Sequence, residues 1–175
     1  MLTGHVAVAM GTYGIRRTIP LWLLIIASQL PDWADASICT MGITSPVPGL
    51  YSHSFIAIGL MSAGAFAVSY FLSRDARGSL LAGMLVLSHA FGDYVTGWKP
   101  TWAGGPMIGM ELYRRPALDF VFETLVIVAG WLVYQRSFEA ERRYSRDLIA
   151  LLLVLIAIQA GGNILMSLVP GMKKC

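Results

Sequence analysis

The stretch SLLAGMLVLSHAFGDYVT, residues Ser79 to Thr96, decides how the chain is read. It is close to the roughly 20 residues that a helix needs to cross a hydrocarbon core about 30 Å thick. Yet His89 and Asp93 fall in its second half. Ionisable side chains in an apolar helix are costly, and where they persist they mark function. Residues four apart project from one helix face about a turn apart, so this imidazole and this carboxylate can reach one metal ion, or Asp93 can bridge two. The same spacing also suits a buried His-Asp hydrogen bond that only holds helices together.

Outward from this stretch the membrane character persists. Of 175 residues, 56% are hydrophobic and 13% charged, with a mean hydropathy of +0.64, whereas soluble domains carry about 25% charged residues. The net charge of +3 is small and its basic residues are scattered through short loops, so no basic face for nucleic acid is present. The amino-terminal Met-Leu-Thr-Gly-His has no positive n-region, which predicts that the first helix is retained. Two cysteines, Cys39 and Cys175, define no disulfide framework. The expectation is one membrane-embedded domain over residues 1–175.

Four segments are predicted to span: Ser54 to Leu72, Ser79 to Thr96, Ala117 to Tyr134 and Leu148 to Val169. Leu2 to Ile15 and Ile19 to Leu30 are apolar but short, separated by Arg16-Arg17-Thr18. Read as two helices, they give an all-α polytopic bundle of about five or six transmembrane helices; a re-entrant pair or one broken helix is the alternative. Arg16, Arg17, Arg74, Arg77, Arg136, Arg142, Arg143 and Arg146 lie in alternate loops, while residues 31 to 53 carry no Lys or Arg. The positive-inside rule places the first set in the cytoplasm, with Lys173 and Lys174 voting against. His5, Asp32, Asp35, His53, His89 and Asp93 then all lie towards the outer face.

Each candidate has a plainer explanation beside the functional one. Pro31 is expected to end a helix, and Pro31-Asp32-Trp33-Ala34-Asp35 can be a solvated, capped loop. It is also the acidic pair of an otherwise uncharged segment, with Asp32 the better ligand and Asp35 next. His53 stands at a predicted helix start, where Ser52 or Ser54 can serve as caps. His5, close to the terminus, is an accessory member. Asp119 and Glu123 form another pair four apart; macrodipole acidity accounts for the first, but Glu123 lies deeper in an apolar segment and needs a partner such as a second metal or an arginine. Arg114 and Arg115 suit a phosphate through bidentate pairing, or snorkel to lipid headgroups. Lys99-Pro100-Thr101-Trp102 looks like an interfacial anchor, and Gly104-Gly105-Pro106 like a turn.

The order Gly4-His5, Pro31-Asp32-x-x-Asp35, His53-Ser54, Ser88-His89-x-x-x-Asp93 resembles the bacterial and archaeal inner-membrane metal-dependent hydrolases, which include the LexA-regulated membrane hydrolases. The resemblance covers roughly Met1 to Glu123. That family commonly has Pro-Asp-x-Asp, one residue shorter than here, and a longer His-Arg-Gly-x-Thr-His-Ser motif of which this chain keeps His53-Ser54. The ligand order is also similar, at a distance, to zinc-dependent phospholipases C and single-strand nucleases. These resemblances imply a site of Asp32, His53, His89 and Asp93. They further imply that His5, Asp93 as a bridge, and Asp119 with Glu123 serve neighbouring metals, for about one to three zinc ions in all.

The expected activity is therefore metal-assisted hydrolysis of a membrane lipid, at a phosphoester or ester bond, on the outer face of a bacterial or archaeal cytoplasmic membrane. Water acidified by the metal is the nucleophile. Asp35 or Asp32 is the expected general base, and Arg114 and Arg115 the expected phosphate holders. A metal or proton transporter is the rival from another class, but the cytoplasmic helix halves offer almost no polar path. A scaffold whose polar residues merely join helices is the third.

Overall fold

A computed structural model describes residues 3–168, and over them the chain is all-helical apart from one small hairpin. The helices are α1 (Gly4–Ile15), α2 (Leu21–Thr40), α3 (Leu50–His53), α4 (Phe55–Ser73), α5 (Ala76–Thr96), α6 (Pro116–Gln135) and α7 (Arg146–Leu168). Strands β1 (Lys99–Pro100) and β2 (Met107–Ile108) pair antiparallel between α5 and α6. Local chemistry sets the starts. Ser54 Oγ accepts from the Ala57 N–H at 3.3 Å and caps α4, Asp75 accepts from the Gly78 N–H at 3.1 Å and caps α5, and Pro116 opens α6.

Three helices, α4, α6 and residues 146–165 of α7, are long and apolar enough to cross a membrane. The expected five or six spans are thus met in part. With 12 residues, α1 is about 18 Å long and shorter than a hydrocarbon core. Helices α2 and α5 have the length, at 20 and 21 residues, but their later turns carry Asp32 and Asp35, and His89 and Asp93. Residues 1, 2 and 169, with Lys173, Lys174 and Cys175, lie outside the described residues.

Pro31 departs most from expectation. It was expected to stop a helix, but α2 runs through it to Thr40. The proline deprives the Ala27 carbonyl of its helical donor, a loss that membrane helices tolerate when neighbouring groups compensate. Asp32 and Asp35 consequently project from a helix and not from a loop.

Close backbone approach joins α1 to α6. A Cβ on Gly130 would collide with the Ala7 carbonyl, and one on Gly14 with the Val133 carbonyl. Small residues at such a crossing let dispersion contacts form where lipid offers no hydrophobic drive. Ala7, Met10, Ile127, Trp131, Leu148 and Leu155 fill the space beside it, and Trp131 Nε1 donates to the Leu148 carbonyl at 2.7 Å. A second cluster, from Ala9, Leu23, Leu24, Ala82 and Leu85, packs α1 and α2 on α5. At one end of these helices Arg16 pairs with Asp75 at 2.6 Å, with Thr18 also bonded to that carboxylate. His5 stands eleven residues up α1 from Arg16, or about 16 Å, so the two polar groups occupy opposite ends of the bundle.

Candidate metal centre

Asp32 from α2, His53 from the end of α3, and His89 and Asp93 from α5 each present one atom, and these four atoms lie within 4.8 Å of one another. Asp93 Oδ2 is 3.0 Å from His53 Nε2 and 3.5 Å from His89 Nε2; Asp32 Oδ1 is 3.3 Å and 3.5 Å from the same two nitrogens. His89 and Asp93 thus share a face as their spacing predicts. His53, His89 and Asp93 are buried, whereas the Asp32 side chain is 38% exposed, so the cluster opens on the Asp32 side.

The far nitrogens of both rings are already engaged. His89 Nδ1 is 2.7 Å from the Ser28 carbonyl. A carbonyl only accepts, so Nδ1 carries the proton and a neutral His89 turns the lone pair of Nε2 into the cluster. Ser28 follows Ala27, whose carbonyl Pro31 leaves without its helical donor. For His53 the same result comes through a hydroxyl. Ser52 Oγ is 2.7 Å from Asp35 Oδ1 and 2.7 Å from His53 Nδ1. Its single hydrogen goes to the acceptor-only carboxylate, so Oγ must accept from Nδ1. Both Nε2 lone pairs are therefore available to a metal ion, with orientation and tautomer fixed from behind, as metal-binding histidines usually are. Asp35, expected as catalytic base or ligand, stands behind Ser52.

His5 joins from α1. Its Nε2 is 3.3 Å from Asp93 Oδ1, and its ring stacks on His89 at 3.7 Å between centroids. It contacts the other carboxylate oxygen of Asp93 and one face of the His89 ring, and it falls outside the group of four. Asp119 and Glu123 are buried on α6 but fall outside the group of four; Asp119 Oδ2 accepts from Asn163 Nδ2 at 3.0 Å. Tyr113 lies between the two acidic regions. Burial pushes its hydroxyl well above the ordinary tyrosine range, the carboxylates of Asp93, Glu123 and Asp119 add to that, and a hydrogen bond with Thr96 opposes it. Arg114 pairs with Glu111 at 2.9 Å and is mostly exposed; Arg115 is exposed as well. Neither is brought into the cluster.

Lys99 is the participant that motif spacing did not reveal. Its Nζ is 2.8 Å from Asp93 Oδ2, an approach made possible by the hairpin. The Phe55 N–H donates to the Thr101 carbonyl at 2.9 Å, the Met110 N–H donates to the Tyr94 carbonyl at 2.8 Å, and the Tyr94 hydroxyl reaches the His53 and Pro100 carbonyls. These bonds fold the hairpin back over α5. Ser52 was visible only as a possible cap, and the actual cap of α4 is Ser54.

The donor set fits a borderline divalent ion. Two neutral imidazole nitrogens and two carboxylates are zinc chemistry, and the buried His89 Nε2 makes no hydrogen bond of its own. Comparison of the chain with family models, with curated proteins and with solved structures finds no match.

Proposed function

We propose that the chain is a membrane-embedded, metal-dependent hydrolase of a lipid ester or phosphoester, with a divalent ion such as zinc held by Asp32, His53, His89 and Asp93. One observation carries this reading. Two Nε2 lone pairs, fixed by donation from the opposite ring nitrogens, converge on two carboxylate oxygens at 3.0 to 3.5 Å. A divalent cation between these four atoms would balance their negative charge and lone pairs, which the Lys99 ammonium does at Asp93 alone.

The chemistry such an ion supplies is Lewis-acid polarisation of the scissile bond and acidification of water towards a pKa of about 7. The protein's own groups do the rest. Ser28, Ser52 and Asp35 hold the ligand rings, and His5 holds Asp93 from the side. Asp32, the one partly open ligand, would face the entering water. Water approaches from that side, because the other three residues are sealed.

A lipid substrate is supported by the apolar spans and by a cleft of about 290 Å³ between α6 and α7, lined by Pro116, Ala117, Phe120, Ala160, Asn163 and Ile164. Its polar member, Asn163, also binds Asp119. We place the chain in the cytoplasmic membrane of a bacterium or archaeon, with additional spans from α2 and α5 and with the cluster outward, on the loop-charge pattern and the motif order. The transporter alternative is disfavoured by the apolar layer of Ala9, Leu24 and Leu85, which separates the cluster from the Arg16–Asp75 end.

Elemental analysis of the purified protein tests the proposal. About one or more equivalents of zinc or a similar ion are expected in the wild type, with loss in His89→Ala and Asp93→Asn together with loss of phospholipid hydrolysis. A metal-free protein that hydrolyses lipid, or hydrolysis that persists in His89→Ala, refutes it.

A further inference from the structure

Lys99 enters the centre from the hairpin and not from a helix, and the hairpin is pinned by backbone bonds to both α4 and α5. Its Nζ contacts Asp93 Oδ2, and its side chain is 22% exposed at the rim. We propose that Lys99 is the residue that makes this site select a monoanionic phosphoryl group over a neutral ester. The proposal rests on the metal-hydrolase reading above and narrows its substrate.

Counting charge gives the reason. The carboxylates of Asp32 and Asp93 balance a divalent ion, and His53 and His89 ligate as neutral rings. The Lys99 ammonium adds a positive charge beside Asp93, while the Asp35 carboxylate that offsets it overall stands behind Ser52 on the other side of the His53 ring. A phosphodiester brings a negative charge to the ammonium and a carboxylic ester brings none, a difference that counts where water is scarce. The ammonium has three protons. One is directed to Asp93, so others remain for a non-bridging phosphoryl oxygen, the role of a point charge that lysine commonly fills. Arg114, which the sequence offered for this task, is occupied by Glu111 at 2.9 Å and mostly exposed.

In the reaction water adds across a P–O bond. Its oxygen bonds to phosphorus, one of its protons ends on the departing alcohol oxygen, and the other leaves from the new P–OH. Lys99 stays an ammonium throughout and only holds an oxygen. The phosphoryl group can belong to a lipid headgroup or to a soluble diester, and the chemistry at Lys99 is the same.

The test uses the full chain in detergent, loaded with zinc, as wild type, Lys99→Gln and Lys99→Arg. Zinc content is read by elemental analysis, and binding of diethyl phosphate, a monoanion, and triethyl phosphate, its neutral analogue, by NMR titration. Wild type should prefer diethyl phosphate by about 10- to 100-fold, K99Q should erase that preference with zinc retained, and K99R should keep most of it. The KM for bis(4-nitrophenyl) phosphate should rise in K99Q by more than that for 4-nitrophenyl butyrate. A KM rise on both the soluble diester and phosphatidylglycerol vesicles supports the proposal with a lipid source, a rise on the soluble diester alone supports it with a soluble source, and an unchanged KM on the soluble diester overturns it. Equal binding of the two phosphates by the zinc-loaded wild type overturns it without any variant, as does zinc loss in both variants. A wild type that takes up no zinc instead overturns the hydrolase reading itself.

Discussion

Replacing Ser52 by alanine should weaken metal binding without touching any ligand. The hydroxyl is fully buried and joins Asp35 to His53 through two contacts of 2.7 Å. Without it His53 Nδ1–H has no acceptor at a position only 2% exposed, and a buried donor left unsatisfied costs about 1–3 kcal/mol. The ring escapes that cost by carrying its proton on Nε2, the tautomer that cannot ligate. Metal binding must reverse the exchange, so the dissociation constant should rise about 10- to 100-fold, equivalent to about 1.4–2.8 kcal/mol. Asp35→Asn should do less, about 3- to 10-fold, because an amide oxygen still accepts from Ser52 but without charge. Since Asp35 acts only through Ser52, the double variant should be no worse than Ser52→Ala alone. Competition with a chromophoric chelator in detergent measures all three. Ser54→Ala, which removes the cap of α4, serves as control: about 1 kcal/mol of stability is lost with affinity unchanged. Additive effects of S52A and D35N, or S52A affinity within twofold of wild type, refute the relay.

Two further outcomes concern the fold. Gly130→Ala should lower stability by about 1–3 kcal/mol, because its methyl meets the Ala7 backbone where α1 cannot retreat. Gly64→Ala, with open space around it, should be neutral or slightly stabilising in the same thermal-unfolding assay, and equal effects of the two would refute the close crossing. The Arg16 guanidinium, followed by Thr18, holds the Asp75 carboxyl well below the usual carboxylate range. A lowered native pKa contributes stability that is present above the unfolded value of about 3.9 and is lost as pH falls below it. Asp75→Asn should therefore unfold at lower temperature than wild type at pH 7, and the gap should narrow as pH is taken below about 4. A gap independent of pH refutes the ion pair as its cause.

Spacing made the α5 pair legible, because residues four apart on a helix share a face whatever surrounds them. The loop-charge pattern likewise anticipated that His5, His53, His89 and both aspartates gather at one end. Two local rules failed for physical reasons. Pro31 breaks helices where the orphaned carbonyl must find water, but here α2 persists and the adjacent Ser28 carbonyl takes up the His89 ring. Lys99 reads as an anchor because its approach to Asp93 depends on a chain reversal eight residues long, Lys99 pairing with Ile108. Asp35 sat in the right motif, but which carboxylate faces the centre is set by helical phase, and the assumption of a loop at Pro31 concealed that phase.

The crossing of α1 with α6 also fixes an order of assembly. His5 is made 88 positions before its partner Asp93, and the helix that clamps α1 begins only at Pro116. At synthesis rates of about 5–20 residues per second, an unpaired imidazole waits several seconds near the membrane before its seat exists. Docking of α1 thus follows synthesis of α6, and truncations that end before α6 should leave α1 undocked and open to quality-control proteases.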